Sequence, residues 1–251
     1  MASGLFSFIE RNQNSQSGFK VISYNVNKLR PTDTNNIRDE FTDWIFKNSY
    51  DILCLQEMIE LNNAPFHLKG YNKIFSGKAL NHEQLGLFIF SRYPIIRQGL
   101  VELGLNSFNR IIWADIVKES DTLRIINVHL KSYDFQGVSL QNNFRKIRRG
   151  IIGRYEHIDR LSVLVQSTPY PIVLCGDFNE VPYTYSYNEF KSILTDGYLA
   201  SGKGYDYTYK FGSIPLRIDY IFVSPALKLS NYQVIHEAKW SDHLPVFAKI
   251  G

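Results

Sequence analysis

An α/β domain, with β-sheets packed on one another and helices on the outside, is predicted by three observations. Short apolar runs rich in branched and aromatic residues recur along the chain. Two longer segments carry apolar residues at helical spacing. The short runs are apolar on both faces, as strands covered from both sides must be. The runs fall at 19–26, 51–56, 85–90, 111–117, 123–130, 171–175, 218–223 and 244–250, each bounded by Asn, Asp, Gly, Pro or Ser.

The helices are justified by spacing. Over 33–47, Ile37, Phe41, Trp44 and Ile45 fall on one face behind a cap at Asp33 or Thr34. Over 140–165, Phe144, Ile147, Ile151, Tyr155, Ile158 and Val165 form a longer stripe, and Arg145, Lys146, Arg148, Arg149 and Arg154 are assigned to the opposite face. Such a basic face is solvated or guides a polyanion. A shorter helix is expected over 187–194. Residues 1–18 read as a flexible lead-in, and with no internal repeat or linker the remainder, 19–251, reads as a single domain.

Composition bounds the function. The 251 residues include 16 Gly and 9 Pro, with 44% hydrophobic and 21% charged side chains, which excludes collagenous, disordered and low-complexity classes. No run approaches the roughly 18 apolar residues of a membrane span. The only apolar patch near the start, 5–9, has no basic residue before it, so a soluble domain without a signal peptide is expected. With 28 basic and 24 acidic residues the net charge is +4, a mild bias toward an anionic partner. Cys54 and Cys175 lie inside apolar runs and read as buried reduced thiols rather than a disulfide. Nothing in the sequence calls for an oligomer, and a monomer is expected.

The chemistry is signalled by polar residues placed where the runs end. Asn25, Glu57 and His129 each follow a run, as do Asp177 and Asn179; Asp219 opens one, and Asp242 and His243 precede another. Alone, each reads as a turn former, a cap or a satisfied histidine. Together they read as side chains held by loops at one edge of a rigid sheet, where sites are assembled. Were they to converge, Glu57, Asp177, Asp219 and Asp242 would crowd four carboxylates together, and either their pKa values must rise or a cation must bind. Carboxylate and amide oxygens without thiolates favour Mg²⁺ or Mn²⁺ over zinc. This chemistry points to metal-assisted hydrolysis of phosphate esters.

At these residues the sequence resembles the endonuclease/exonuclease/phosphatase superfamily. The matching segments are Ser-Tyr-Asn-Val (23–26), Leu-Gln-Glu (55–57), Phe-Ser-Arg-Tyr-Pro-Ile (90–95), Asn-Val-His-Leu (127–130), Gly-Asp-Phe-Asn (176–179), Arg-Ile-Asp-Tyr-Ile-Phe (217–222) and Ser-Asp-His-Leu-Pro-Val (241–246), in the family's order. The resemblance implies a four-layer αββα sandwich of two mixed β-sheets flanked by helices, with the site at one end. It implies Glu57 as the main metal ligand with Asn25 beside it and Asp242 joining them, Mg²⁺ as the ion and Mn²⁺ as a substitute. Asp177 would activate the attacking water, Asn179 would hold it or a phosphate oxygen, His243 would contact the phosphate with Asp219 as its carboxylate partner, and His129 would bind a phosphate oxygen on the leaving-group side. Some bacterial relatives carry the domain behind membrane-spanning helices, which leaves a membrane-tethered origin and the localisation open.

A nuclease acting on DNA or RNA leads among the activities the resemblance allows. Candidate substrate contacts are Arg110, the Arg145–Arg154 face, and Tyr183, Tyr185, Tyr187, Tyr205, Tyr207 and Tyr209. The alternatives are an inositol phosphatase, which needs a dense basic pocket, and a sphingomyelinase-like phospholipase C, which needs an exposed apolar hairpin such as 103–108. A non-catalytic phosphate-binding module is disfavoured by the intact Glu57, Asp177, Asn179 and His243.

Overall fold

The computed structural model describes residues 18–29, 37–104, 107–132 and 144–251, the side chains of 144–152 excepted. The lead-in before Gly18, the cap at Asp33 or Thr34, and the side chains of Arg145, Lys146, Arg148 and Arg149 lie outside the described residues.

Two six-stranded sheets face one another. The first runs in the order β13 (Leu229–Val234), β14 (Val246–Ile250), β1 (Phe19–Asn25), β2 (Ile52–Leu61), β4 (Glu83–Ser91), β3 (Asn72–Leu80). The second runs β5 (Ile95–Glu102), β6 (Arg110–Lys118), β7 (Asp121–His129), β8 (Ile172–Asp177), β12 (Asp219–Val223), β9 (Thr195–Asp196). Each is antiparallel except for one parallel pair, β1 with β2 and β7 with β8, so both sheets are mixed. A separate two-stranded ribbon joins β10 (Tyr209–Phe211) to β11 (Ile214–Leu216).

The layers follow from the two-faced strands. In β1, Phe19 and Val21 point between the sheets, where they meet Ile112, Ile125 and Val173 of the second sheet. Ile22 and Tyr24, on the other face of β1, pack with Phe41 and Ile45 of α1 (Ile37–Asn48). The outer face of the second sheet is covered in the same way by Ile158, Leu161 and Val165 of α2 (Phe144–Gln166) and Phe190 of α3 (Tyr185–Lys191). This is the expected αββα sandwich. Cys54 and Cys175 are free and buried in the layer between the sheets.

α3 begins two residues before the expected 187, because Thr184 accepts from the Tyr187 amide and caps it, and it ends at Lys191. The strands with no counterpart among the apolar runs are edge or short strands. In β5, for example, Arg97, Gln98 and Leu100 are exposed. Leu103 is also unlike its reading as part of a lipid-facing hairpin: it is buried against Ile111 and α2, because the chain turns inward there before β6.

One buried polar link crosses between the sheets. Gln56 of β2 donates through Nε2 to Asn127 Oδ1 of β7 at 2.7 Å and to Ser23 Oγ at 3.1 Å. The Asn127 amide donates in turn to the carbonyls of Leu55 (3.0 Å) and Phe88 (2.8 Å). These carbonyls lie where the β2–β4 register breaks between Leu55 and Met58, so Asn127 satisfies backbone that the bulge disturbs. Asn127→Leu would strand these groups in a dry interior at about 1–3 kcal/mol each. A loss of about 3 kcal/mol or more is expected from urea unfolding, and a loss under about 1 kcal/mol would show that the link is dispensable.

Candidate active site

Register places the first set of site residues. Across the second sheet, Arg110 pairs with His129, His129 with Asp177, and Asp177 with Asp219, so four positions on four strands form one row at the sheet's end. Gly176 sets the approach to Asp177. Its φ is +143°, and a Cβ there would lie 2.0 Å from the Val128 carbonyl oxygen, so only glycine fits.

The first sheet contributes Asn25, at the end of β1, and Glu57, turned out of β2 by the bulge with φ at 51°. Asn25 Nδ2 bridges Glu57 Oε1 (3.2 Å) and Asp177 Oδ2 (3.0 Å), joining the two halves. His129 Nε2 lies 3.6 Å from Glu57 Oε1 and 3.7 Å from Asp177 Oδ2. Asn179, also left-handed at φ 49°, donates its backbone amide to Asp177 Oδ1 (2.8 Å) and its side-chain amide to Asp177 Oδ2 (3.2 Å).

The remaining residues come from the C-terminal segment. His243 Nδ1 donates to Asp219 Oδ2 at 3.0 Å, and its Nε2 lies 3.9 Å from Asp177 Oδ2. Thr208 locks this pair in place. Its hydroxyl accepts from the Asp219 amide at 3.1 Å, and its carbonyl accepts from the Leu244 amide at 2.7 Å. Tyr209 lies against the His243 ring with centroids 4.8 Å apart. Asp242 accepts from Asn27 Nδ2 at 2.9 Å.

Of the nine residues given catalytic or metal-binding roles from the sequence or, for Arg110, a substrate contact, Glu57, His129, Asp177, Asn179, Asp242 and His243 line one cavity, and Asn25 and Asp219 hydrogen-bond to residues of that lining. The ninth, Arg110, belongs to the row but is buried, and its Nη1 donates to Ser76 Oγ of the opposite sheet at 2.9 Å. Arg154 stands corrected: it is not on a solvated face but buried, paired with Glu180. Tyr187 is corrected likewise, since it is buried and its hydroxyl donates to Asp196 at 2.7 Å, which removes it from the substrate contacts. Sequence reasoning missed Asn27, which directly follows the Ser-Tyr-Asn-Val segment, and Thr208, which adjoins no motif; neither residue type stands out in a loop.

The cavity holds about 680 Å³ and opens onto Glu57, Asp177 and Asp242. Among the described residues no Lys or Arg lines it, and the basic side chains in its lining are His129 and His243. Asp177, Asp219 and His243 also bring one ligand atom each within 4.8 Å of one another. That trio is the poorer cation site, because His243 Nδ1 is already committed to Asp219. Glu57 and Asp242, with Asn25 beside Glu57, form the oxygen-bearing set that fits a hard divalent ion.

Charge is ordered within the site. Burial alone would push the His243 imidazole down, but the carboxylates of Asp219, Asp177 and Asp242 outweigh it and raise it to about 10. Asp219 rises to about 6, chiefly through burial, with His243 opposing and Asp177 adding. Near neutrality the pair is therefore imidazolium and carboxylate.

A hydrolase of phosphate esters that works with a divalent cation is the class of protein that this fold and this site define. The chain belongs to the Endonuclease/Exonuclease/phosphatase family, whose sequence model matches residues 22–243. Among solved structures it is similar to an endonuclease/exonuclease/phosphatase family protein of Leptotrichia buccalis, at 19% identity and TM-score 0.69 over 93% of this chain and 100% of that one. It is similar to a mannosyl-6-phosphatase of Bacteroides thetaiotaomicron at 20% identity and TM-score 0.69, again over 93% and 100%. It is also similar to D. rerio TDP2 complexed with single-strand DNA product, at 15% identity and TM-score 0.73 over 94% and 99%. No curated protein matches it in sequence.

The raised His243 gives a pH test in metal-free protein. A folded-state value of about 10, above the roughly 6.5 of an exposed histidine, gives stabilisation that is fully present below about pH 6.5 and is lost as pH rises through about 10. The urea midpoint of wild type relative to His243→Gln is therefore expected to drop between about pH 7 and about pH 10.5. A difference that stays constant across that interval would show that the imidazole is not held charged.

Proposed function

We propose that this chain is a Mg²⁺-dependent phosphodiesterase acting on nucleic acid, with single-stranded substrate preferred. The observation that carries the reading is the wall facing the acids. Tyr209, Phe211, Leu216 and Ile218 line the cavity that the acids share, and Phe211 is 58% exposed. That wall suits an ester with one phosphate in the acidic pocket and a planar group lying on aromatic rings, as a nucleobase does. The absence of Lys and Arg from the described lining speaks against a polyphosphorylated inositol.

Glu57 and Asp242, with Asn25 beside them, would hold the divalent ion, which would supply charge neutralisation for the phosphate. Asp177 accepts a proton from the attacking water, and Asn179 orients that water. The His243 imidazolium, fixed by Asp219, donates to the phosphate oxygen on which charge develops, and His129 binds a second oxygen. Arg110, held by Ser76, is given no contact to substrate in this reading.

A phospholipase C-type activity is the second reading, favoured by Phe211 and Ile214, each 58% exposed on the β10–β11 ribbon. The two readings separate by substrate. Hydrolysis of bis-p-nitrophenyl phosphate is expected with Mg²⁺, to stop with EDTA, and to fall by about 10²–10⁴-fold in Asp177→Ala and in His243→Ala. Activity that survives EDTA would sink the proposal. Phe211→Ala is expected to weaken kcat/KM on a single-stranded oligonucleotide by about 5- to 100-fold, leaving methyl p-nitrophenyl phosphate unchanged. Equal losses on both would remove the base-stacking role, and wild-type cleavage of phosphatidylcholine vesicles without oligonucleotide cleavage would install the lipid reading.

A further inference from the structure

We infer that Arg154 of α2 is a positioning residue that clamps the two loops carrying His129 and the Asp177–Asn179 pair. The inference rests on the phosphodiesterase reading for its catalytic consequence. Arg154 is only 4% exposed, and among the described residues its guanidinium donates to three separate acceptors. Nε donates to Glu180 Oε2 at 2.8 Å, Nη2 to the Phe178 carbonyl at 2.6 Å, and Nη1 to the Lys131 carbonyl. Phe178 stands between Asp177 and Asn179, Glu180 directly follows Asn179, and Lys131 lies two residues past His129. One planar cation thus touches both loops.

The loops are joined by other bonds, and the guanidinium completes the set. The Leu130 amide donates to the Asp177 carbonyl at 3.0 Å, and Asn179 Nδ2 donates to the Leu130 carbonyl at 3.0 Å. The Tyr220 hydroxyl holds the Glu180 carbonyl at 2.7 Å. Without Arg154, the Phe178 and Lys131 carbonyls lose these donors, and the chain between Asp177 and Glu180 is free to relax. Asn179 sits there in a left-handed conformation, which persists only while its surroundings enforce it. Lysine cannot substitute, because a point charge does not reach three acceptors in one plane.

A plain structural ion pair would also be buried and would also destabilise the protein when cut, so the test must separate stability from turnover. Arg154→Lys keeps the charge opposite Glu180 and removes the fork. Arg154→Met combined with Glu180→Gln removes both charges and strands no carboxylate, which keeps the fold within reach. In either variant, well below its melting temperature, kcat on bis-p-nitrophenyl phosphate is expected to fall by about 10- to 100-fold. KM and the Mg²⁺ concentration for half activation should stay within about threefold, since Glu57 and Asn25 belong to the other sheet. A folded variant with wild-type kcat, or a loss carried by KM alone, would overturn the inference. Hydrogen exchange in segments 128–132 and 177–181 tests the clamp without turnover. Faster exchange in both segments of the variants is expected, and exchange unchanged from wild type overturns the clamp. If wild type hydrolyses no diester while exchange responds as expected, the clamp stands and the phosphodiesterase reading falls.

Discussion

Glu57 and His129 reach the same small volume from different sheets, and what sets their separation is the hydrogen bond between Gln56 and Asn127. Glu57 follows Gln56 directly, and His129 lies two residues past Asn127 on the same strand. Fixing that one pair therefore fixes both site residues, and through the row across the second sheet it fixes Asp177 and Asp219 as well. The bond is short and fully buried, where an amide pair is strong when made and costly when broken. The bulge that turns Glu57 outward would otherwise leave the Leu55 and Phe88 carbonyls without donors. Site geometry and sheet packing are thus solved by the same two side chains.

The second constraint is charge. Four carboxylates, Glu57, Asp177, Glu180 and Asp242, open onto a cavity with no Lys or Arg among its described lining, while a fifth, Asp219, is buried behind them. The fold compensates locally and incompletely. Amides of Asn25 and Asn179 surround Asp177, and His243 takes up a proton under the combined field of Asp219, Asp177 and Asp242. Glu57 and Asp242 receive one amide donor each in this arrangement, together with the distant His129 ring. What remains is an oxygen-lined negative field, which the described residues neutralise only in part and which a divalent ion and an anionic ester would satisfy together. The dependence of this family on a divalent metal has its physical root in that imbalance.

The parts of this architecture that were legible in the sequence share one property: their side chains face apolar surroundings on both sides, or they end a run that does. The strands β1, β2, β7 and β8 announce themselves because neither face may be polar, and the site residues stand out because they interrupt that pattern. β5 and β13 lie at sheet edges, where one side meets water, and their mixed composition carries no comparable signal. Arg154 was misplaced for a different reason. The stripe of α2 was drawn through Ile151 and Tyr155, yet Tyr155 is exposed at 46% while Arg154, Ile158, Leu161 and Val165 are buried. Positions 154, 158, 161 and 165 follow helical spacing just as well, so the pattern was present; a basic residue inside it was assigned outward because a buried guanidinium is rare without a partner. Glu180 was that partner, and only the fold brings it near.

Chemistry and selectivity are built from different kinds of structure here. The row of Arg110, His129, Asp177 and Asp219 lies on central strands whose register cannot slip without turning every core residue outward. The apolar wall comes from β10–β11, which pairs with neither sheet as a ladder and meets the catalytic set at two places, Thr208 against Asp219 and Tyr209 against His243. Changes at Phe211, Ile214 or Leu216 can therefore alter what lies beside the phosphate without moving the row, whereas changes at Thr208 or Tyr209 cannot. Folds like this one are shared by a mannosyl-6-phosphatase and by a protein crystallised with single-strand DNA product. A scaffold whose central strands hold the reacting groups, while an attached ribbon shapes the neighbouring surface, is physically suited to such divergence, because the ribbon can be remodelled at little cost to the core.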